Sequence, residues 1–308
     1  MNIVYMGTPG FAVPPLEALI GAGHRVQGVF TMPDKPKGRG YALTPTPVKE
    51  CALAHHLTVY QNNSMRDGEA LKILQELNPE LIVVVAYGKI LPKEILQLPK
   101  YGCVNVHASL LPKYRGASPV QWSIVCGETQ TGVTTMLLDE GMDTGDILQM
   151  RKIAIGPDET AEELMTRLCD LGAELLLSTL TGLESGAITP VKQDSSEASY
   201  APIIKKEDGL IDWTAGAQSI HNLARGLRPW PTAYTILEGK LLKIFKTAVL
   251  GTTDKKAGTV TEARNSLIVA CGDGIELEIT ELQLEGSKRM AACDMLRGRK
   301  IESGTLLG

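Results

Sequence analysis

An uninterrupted apolar run at residues 81–86, Leu-Ile-Val-Val-Val-Ala, constrains the fold of this chain more than any other feature. A run of strand length without alternating polar residues is typical of a parallel strand that is covered on both faces. Shorter apolar segments at residues 3–6 and 26–30 alternate with segments of helical periodicity. The first half of the chain is therefore predicted to be an α/β domain with a doubly wound, mostly parallel sheet.

The last third of the chain shows a different pattern, with one predicted helix at residues 219–227 followed by short alternating segments. Gly, Asn and Asp separate these segments, as turn residues do between short strands. The segments lie at residues 235–237, 241–245, 258–260, 267–270 and 275–279. Such a series predicts a small β-barrel or β-sandwich.

A polar and unpatterned stretch before residue 200 separates these two parts and is the best candidate for a linker. We therefore predict a first domain over residues 1–189, a linker over residues 190–204 and a second domain over residues 205–308. The length of the chain is ample for two domains of ordinary size.

The overall net charge of −4 gives no general attraction to nucleic acid, so RNA binding would need local basic patches. The charge is also uneven along the chain. Residues 1–199 hold 16 Lys and Arg against 22 Asp and Glu, whereas residues 200–308 hold 15 against 13. The C-terminal part, with a net charge of +2 against −6, is the better candidate to face a polyanion.

The six cysteines are scattered without the paired spacing of a metal site, and we expect reduced thiols in the cytoplasm. Gly7-Thr8-Pro9 interrupts the segment in which a signal peptide would need a basic region and an apolar run. No run of about eighteen apolar residues is present, which argues against a membrane span. We therefore expect a cytoplasmic chain. A monomer is a separate expectation that does not follow from these features.

The turn Gly7-Thr8-Pro9-Gly10 after the first predicted strand invites an interpretation as a dinucleotide site. It lacks the Gly-x-Gly-x-x-Gly spacing of such sites. Its proline also removes one of the backbone N–H groups that would face a pyrophosphate. A nicotinamide-dependent oxidoreductase is therefore disfavoured.

Asn105 and His107 are the first candidates for chemistry. If residues 102–106 form a strand, the two side chains project from the same face, because strand residues two apart do so. Ligands of doubly wound sheets bind beyond the carboxyl ends of the strands, where these residues would lie. The alternative is that both are hydrogen-bonded polar residues of the core.

Asp143 is the third candidate, within the glycine-punctuated loop Asp139-Glu140-Gly141-Met142-Asp143-Thr144-Gly145-Asp146. A carboxylate close to His107 would orient the imidazole and stabilise its charged form, as the third member of a catalytic triad does. The alternative is a turn residue, which its position before Thr144-Gly145 suits equally well. Spacing alone leaves both open.

A basic segment carries Lys35, Lys37 and Arg39 between proline and glycine residues. Three cations on such a segment suit phosphate oxygens or an exposed base edge of RNA. The alternative is a solvated surface loop.

These residues belong to a longer match. The sequence resembles the 10-formyltetrahydrofolate-dependent formyltransferase family in Asn105-x-His107-x-Ser109-Leu110-Leu111-Pro112-x-x-Arg115-Gly116, followed by Asp143-Thr144-Gly145. Further shared segments lie at residues 6–9, 11–13, 33–40, 84–88, 211–213 and 229–231. The match departs from the family at Gly10, where an acidic residue is common.

The resemblance implies a Rossmann-like formyltransferase domain followed by an OB-like β-barrel that binds tRNA. It also implies that 10-formyltetrahydrofolate is the co-substrate and that no metal takes part. The residues implied to contact the folate are Tyr87, Ile90, Ser109, Leu110, Leu111 and Pro112. Leu110 and Leu111 can equally be plain core leucines.

The activity implied by the resemblance is formyl transfer to the α-amino group of methionine on initiator tRNA, for translation initiation. Asn105 would stabilise the oxyanion, His107 would relay the proton, and Asp143 would hold His107. The residues implied to contact tRNA are Lys35, Lys37, Arg39, Lys205 and Lys206.

Three other functions remain open at this point. A formyltransferase that acts on a small amine, or a hydrolase of 10-formyltetrahydrofolate, would share Asn105, His107 and Asp143. A predicted C-terminal barrel together with a basic segment argues against the small amine. From a different class, an RNA-binding or folate-sensing protein without catalysis is disfavoured by the three intact polar residues.

Overall fold

The structure is a computed structural model that describes residues 1–37 and 42–308, apart from the side chains of Lys37 and Ala42. The helices are α1 (Val13–Gly21), α2 (Pro47–Ala54), α3 (Glu69–Leu77), α4 (Lys93–Leu96), α5 (Pro119–Val125), α6 (Ala161–Ser185), α7 (Ala217–Gly226) and α8 (Ala292–Gly298). The strands up to residue 201 are β1 (Asn2–Gly7), β2 (Arg25–Phe30), β3 (Lys35–Lys37), β4 (Ala42–Thr44), β5 (Val59–Tyr60), β6 (Leu81–Val85), β7 (Cys103–His107), β8 (Arg115–Gly116), β9 (Gln130–Leu137), β10 (Ile147–Ala154) and β11 (Tyr200–Ala201). The strands after it are β12 (Ala233–Leu237), β13 (Lys240–Thr252), β14 (Val260–Ala263), β15 (Leu267–Ala270), β16 (Ile275–Leu284) and β17 (Met290–Ala291).

The apolar run predicted as a doubly covered strand forms β6, and every residue of β6 is buried. This strand pairs in parallel with β1 on one side and with β7 on the other. The sheet has the order β10-β9-β7-β6-β1-β2-β5, with β2 also parallel to β1 and β9 antiparallel to β7. The predicted doubly wound, mostly parallel sheet is confirmed, and the carboxyl ends of β1, β2, β6 and β7 meet at one edge.

The second sheet has the order β12-β13-β16-β15-β14, and β17 pairs with β16. Neighbouring strands within it run antiparallel. Trp213 is buried in its core and donates its indole N–H to the Thr235 hydroxyl at 3.0 Å. The predicted C-terminal β-domain with OB-like character corresponds to this antiparallel sheet.

The chain forms two compact units, each assembled from separate segments. The first consists of Met1–Gly116, Thr131–Ile153 and Met165–Ala201, and the second of Ala117–Gln130, Ala154–Leu164 and Pro202–Gly308. The stretch proposed as a linker from its composition belongs to the first unit as far as Ala201. The domain boundaries predicted from the sequence stay a prediction.

Several elements differ in length from the pattern in the sequence. The sequence pattern Thr46-Pro47 followed by Val48 predicts a helix from residue 48 to residue 56, but helix α2 ends at Ala54, because His56 has a φ of 56°, which a right-handed helix does not admit. Strand β14 begins at Val260 and not at Gly258, whose φ of 80° is incompatible with an extended strand. Strand β13 continues to Thr252, beyond its apolar part, because it pairs along its length with β16.

The six cysteines are all described, and no two of them form a disulfide. Within residues 1–37 and 42–308, no helix combines the length and the apolar character that crossing a membrane would require.

Thr160-Ala161-Glu162-Glu163 has the sequence pattern of a capping box, and the structure forms one at the start of helix α6. The Thr160 hydroxyl accepts a hydrogen bond from the Glu163 N–H at 3.3 Å, and the Glu163 carboxylate accepts bonds from the Thr160 N–H at 2.9 Å and the Thr160 hydroxyl at 2.8 Å. The bond from the Thr160 N–H is the main cause that lowers the pKa of the Glu163 carboxyl, and the bond from the Thr160 hydroxyl is the second. The carboxylate form therefore stabilises the folded chain at neutral pH, and this contribution is lost as the pH falls through the lowered pKa.

Removing the cap hydroxyl is expected to weaken the start of α6. For Thr160→Ala we expect a loss of about 1 kcal/mol in the free energy of unfolding at pH 7, measured by urea denaturation. The difference from the wild type should shrink on acidification, because the bond to the Glu163 carboxylate weakens in both proteins. Ser178→Ala, at an exposed position within the same helix, is the control and should cause no loss. An equal loss in the free energy of unfolding of both variants would show that the capping box is not the cause.

Candidate active site

Asn105 and His107 lie at the carboxyl end of β7, between β6 and β9. Asn105 is opposite Val84 of β6, and His107 is opposite Thr134 of β9. Both side chains are largely buried, with 8% and 6% of their surface exposed. Two residues apart on one strand, they project from the same face of the sheet, as the sequence predicts.

The two ring nitrogens of His107 have different neighbours. Its Nε2 lies 3.0 Å from the Tyr114 carbonyl oxygen. A carbonyl oxygen only accepts hydrogen bonds, so Nε2 carries a proton in this arrangement. Its Nδ1 lies 3.7 Å from Oδ2 of Asp143. Nδ1 is therefore the ring nitrogen without a proton in the neutral form, and it faces the Asp143 carboxylate.

Asp143 is positioned by its own backbone conformation and by a hydrogen bond from the loop after β7. Its Oδ2 accepts a hydrogen bond from the Gly116 N–H at 2.8 Å, and its φ is 54°. The loop that carries it is tight at Gly145, where a Cβ atom would lie 1.7 Å from the Leu137 carbonyl oxygen. Asp143 is thus a turn residue that also lies near His107, and its catalytic role stays a prediction.

The Asn105 carboxamide is available to a ligand. Among the described residues, no group forms a hydrogen bond with this side chain. Its oxygen and nitrogen are also absent from the fully buried polar atoms that lack a partner, so they keep contact with solvent. A carboxamide with unused donors, beside an imidazole that can accept a proton, suits an anionic oxygen in a reaction intermediate.

The bend after β7 is fixed by hydrogen bonds to Thr134. The Thr134 hydroxyl donates to the Ser109 carbonyl at 2.7 Å and accepts from the Leu111 N–H at 3.2 Å. The Ser109 hydroxyl donates to the Lys113 carbonyl at 2.7 Å, and Ser109 is fully buried. Leu111 is buried as well, which agrees with the interpretation of this leucine as a core residue.

The other residues that the resemblance assigns to the folate differ in exposure. Leu110 and Pro112 are half-buried, and 66% of Ile90 is exposed, so each offers apolar surface. The Tyr87 side chain is buried in a hydrophobic cluster with its hydroxyl on the Met65 sulfur at 3.3 Å, and burial raises its pKa to about 12. A ligand would meet Tyr87 only through its backbone.

The basic residues fall into two groups. Lys35 is exposed in β3, which pairs with β4 in an antiparallel ladder that includes the backbone of Lys37. Arg39 lies outside the described residues. Lys205 and Lys206 are exposed and belong to the second unit.

A residue that the sequence did not single out joins two loops of the site. The Gln193 carboxamide oxygen accepts hydrogen bonds from the Arg115 guanidinium, from Nε at 3.1 Å and from Nη2 at 2.8 Å. Its nitrogen donates to the carbonyls of Asp143 and Gly145, each at 2.8 Å. Gln193 lies in the unpatterned polar stretch, where composition gives no signal of such contacts.

One group of possible metal ligands occurs among the described residues. Glu17, Cys51 and His55 place one ligand atom each within 4.8 Å of one another. Glu17 and His55 are exposed, and burial is the main cause that raises the pKa of the Cys51 thiol. The group contains none of the candidate catalytic residues, so it enters no step below.

The chain matches two models of protein families. Residues 1–180 match the model described as formyl transferase, and residues 203–300 match the model described as formyl transferase, C-terminal domain. The methionyl-tRNA formyltransferase of Geobacter metallireducens is 51% identical to this chain over 308 residues, which cover all of this chain and 99% of that protein.

Solved structures share the fold at low sequence identity. An N-formyltransferase from Helicobacter canadensis, in complex with folinic acid and dTDP-3-aminofucose, has a TM-score of 0.70 at 20% identity, with 91% of this chain and 98% of that chain covered. A methionyl-tRNA formyltransferase from Clostridium thermocellum has a TM-score of 0.55 at 21% identity, with 80% and 93% covered. The two family models together cover most of the chain, and the chain belongs to the formyl transferase family.

Proposed function

We propose that this chain transfers the formyl group of 10-formyltetrahydrofolate to the α-amino group of methionine carried by initiator tRNA. Identity of 51% with a methionyl-tRNA formyltransferase, over the whole of this chain, supports this acceptor. The chemistry rests on one observation of the site. The Asn105 carboxamide, which has no hydrogen-bond partner among the described residues, lies beside an imidazole whose Nδ1 faces Asp143.

The pKa of the acceptor α-amino group determines which tasks the enzyme has to perform. An α-amino group has a pKa of about 7.7 to 8.0, so roughly a tenth of it is neutral and nucleophilic at pH 7. A strong base is therefore unnecessary. The enzyme has to place the neutral amine against the formyl carbon, stabilise the oxyanion that forms, and take the proton that the amine loses.

The three polar residues divide these tasks. As the amine nitrogen bonds to the formyl carbon, the Asn105 N–H group donates to the oxygen that becomes negative. His107 accepts the amine proton at Nδ1, while its Nε2–H stays on the Tyr114 carbonyl. The Asp143 carboxylate stabilises the imidazolium. The bond between the formyl carbon and the folate nitrogen then breaks, and that nitrogen takes up a proton.

The folate co-substrate is proposed to lie at the carboxyl ends of β6 and β7. The exposed Ile90 side chain and the half-buried Leu110 and Pro112 offer apolar surface to its ring. Three residues assigned to the folate have buried side chains and would pack beneath this apolar surface without contacting the ring: Ser109, Leu111 and Tyr87. A structural neighbour from Helicobacter canadensis that holds folinic acid supports a folate.

The tRNA is proposed to contact the basic residues of both units. Lys35, Lys37 and Arg39 would contact its acceptor end, with Arg39 as the most specific contact. Lys205 and Lys206 would bind phosphates from the second unit. Because aminoacyl-tRNA and folate meet in the cytoplasm, we place the protein there, acting as a monomer.

A transfer assay distinguishes this function from the hydrolase and from formyl transfer to a small amine. The assay supplies 10-formyltetrahydrofolate as the sole formyl donor with a mixed pool of aminoacyl-tRNAs, and it measures formyl-aminoacyl-tRNA and free formate. We expect formyl-methionine on initiator tRNA and little formate. Formate without a formylated tRNA would show a hydrolase, and formylation of a small amine alone would show the other alternative.

Asn105→Ala is expected to lower kcat by about a hundredfold to a thousandfold, because the oxyanion then lacks one of its donors. The affinity for tRNA and the urea midpoint should stay unchanged, since the carboxamide has no partner among the described residues. Asn265→Ala, at an exposed position of the second unit, is the control and should keep full activity. A kcat near that of the wild type in Asn105→Ala would exclude Asn105 from the mechanism.

Lys205 and Lys206 are tested by the salt dependence of tRNA binding. For the double variant Lys205→Ala/Lys206→Ala, the slope of log K against log salt should flatten by about 0.7 to 0.9 for each phosphate that no longer pairs with a lysine. Lys255→Ala/Lys256→Ala removes two exposed lysines elsewhere in the same unit and should leave the slope unchanged. Filter binding over a range of salt concentrations gives both slopes. Equal slopes in all three proteins would show that Lys205 and Lys206 do not contact phosphates of the tRNA.

A further inference from the structure

The segment of residues 191–201, which follows α6, is hydrogen-bonded to the rest of the first unit near both of its ends. At its start, Val191 and Ile147 exchange two backbone hydrogen bonds, at 2.8 Å and 2.9 Å. At its end, β11 pairs in parallel with β8, so that Tyr200 and Ala201 lie opposite Arg115 and Gly116. We call these residues the 191–201 segment.

Ser199 of this segment holds the loop that carries the acceptor of His107 Nε2. The Ser199 hydroxyl accepts the Tyr114 N–H at 2.9 Å, and the Ser199 carbonyl accepts the Arg115 N–H at 2.8 Å. Tyr114 itself has a φ of 60°, a conformation that few residues with a side chain adopt. The direction of the Tyr114 carbonyl toward His107 is therefore set by bonds to the 191–201 segment.

Gly116 shows how closely the segment packs. A Cβ atom at this position would lie 2.7 Å from the Ala201 carbonyl oxygen, and the φ of Gly116 is 119°. The N–H of this same glycine donates to Asp143 Oδ2. The close approach of Ala201 therefore fixes a donor of the catalytic carboxylate.

Gln193 holds the other side of the site. Its two N–H groups donate to the Asp143 and Gly145 carbonyls, and its oxygen takes two bonds from Arg115, which is 2% exposed. A carboxamide is suited to this position because it carries an acceptor and two donors on one planar group. A carboxylate would keep the acceptor for Arg115 and would provide neither donor.

The two groups that face the His107 ring are the Tyr114 carbonyl and the Asp143 carboxylate, and the 191–201 segment positions both of them. Gln193 lies 50 residues after Asp143 in the sequence. We propose that Gln193 is a positioning residue for formyl transfer and that the 191–201 segment is part of the active site. This inference rests on the proposed function. Gln193 acts through the Asp143 loop, whose displacement would carry the carboxylate away from His107 Nδ1.

The variant Gln193→Glu separates this role from simple pairing of the buried Arg115. Glutamate keeps the shape and the acceptor for Arg115, and it places an oxygen against two carbonyls that had received N–H groups. We expect kcat to fall about tenfold to a hundredfold, because a displacement of about 1 Å in a catalytic site has an effect of that order. The KM for tRNA should change little, and the urea midpoint should fall by no more than that of a variant that also loses the pairing with Arg115.

Two further variants complete the experiment. Gln193→Met removes the hydrogen bonds to Arg115, Asp143 and Gly145, and its kcat should fall at least as far as that of Gln193→Glu. Gln283→Met, which removes a glutamine whose carboxamide donates to the Ser287 carbonyl in the second unit, should keep the wild-type kcat. Full kcat in Gln193→Glu would overturn the proposal, and so would a rise in the KM for tRNA with kcat unchanged.

The failure of this inference can be told apart from the failure of the proposed function. A wild-type protein without formyl transfer would reject the function itself, whereas an active wild type with a fully active Gln193→Glu variant would reject only the role of Gln193. If Gln193→Met fails to fold, the comparison of Gln193→Glu with the wild type still decides.

Discussion

The Asp143 carboxylate is the point on which the candidate site depends. One of its oxygens accepts the Gly116 N–H at 2.8 Å and lies 3.7 Å from His107 Nδ1, so the loop after β7 and the loop after β9 meet at this atom. In the proposed mechanism, this carboxylate lies beside the ring nitrogen that accepts the proton of the amine. The Tyr114 carbonyl holds the other ring nitrogen, which leaves Nδ1 as the site of protonation. In the proposed mechanism, formyl transfer needs little more than the placement of three side chains.

The sheet beneath the site provides the rigidity that this placement needs. Strand β6 is buried on both faces, and β7 is buried along its whole length. Both strands end at the edge where ligands of doubly wound sheets bind. Catalytic side chains that stand on a packed strand lose less orientation than side chains on a free loop. Asp143 is the exception because it stands on a loop, and Gln193 and Gly116 supply the bonds that a strand would otherwise provide.

The sequence predicted the features that depend on local pattern. The apolar run of β6, the capping box at Thr160 and the shared face of Asn105 and His107 all follow from periodicity or short-range spacing. The role of Gln193 did not follow, because its hydrogen bonds join residues about fifty and about eighty positions away, and a polar stretch carries no periodic signal. Residue type also did not predict that Tyr87 is buried and Ile90 is exposed. A tyrosine and an isoleucine are each apolar enough to lie in the core or on the surface of a protein. Placement of the cofactor and tRNA contacts therefore stays a prediction.

The measurement that tests the account most directly is a double-mutant cycle on kcat with His107→Ala, Asp143→Asn and the two combined, at saturating folate and tRNA. If Asp143 acts through His107, the combined variant should be no slower than His107→Ala alone, because the carboxylate then has no imidazole to stabilise. Losses that multiply in the combined variant would show that Asp143 acts on the reaction independently of His107. That result would contradict the arrangement proposed for the site.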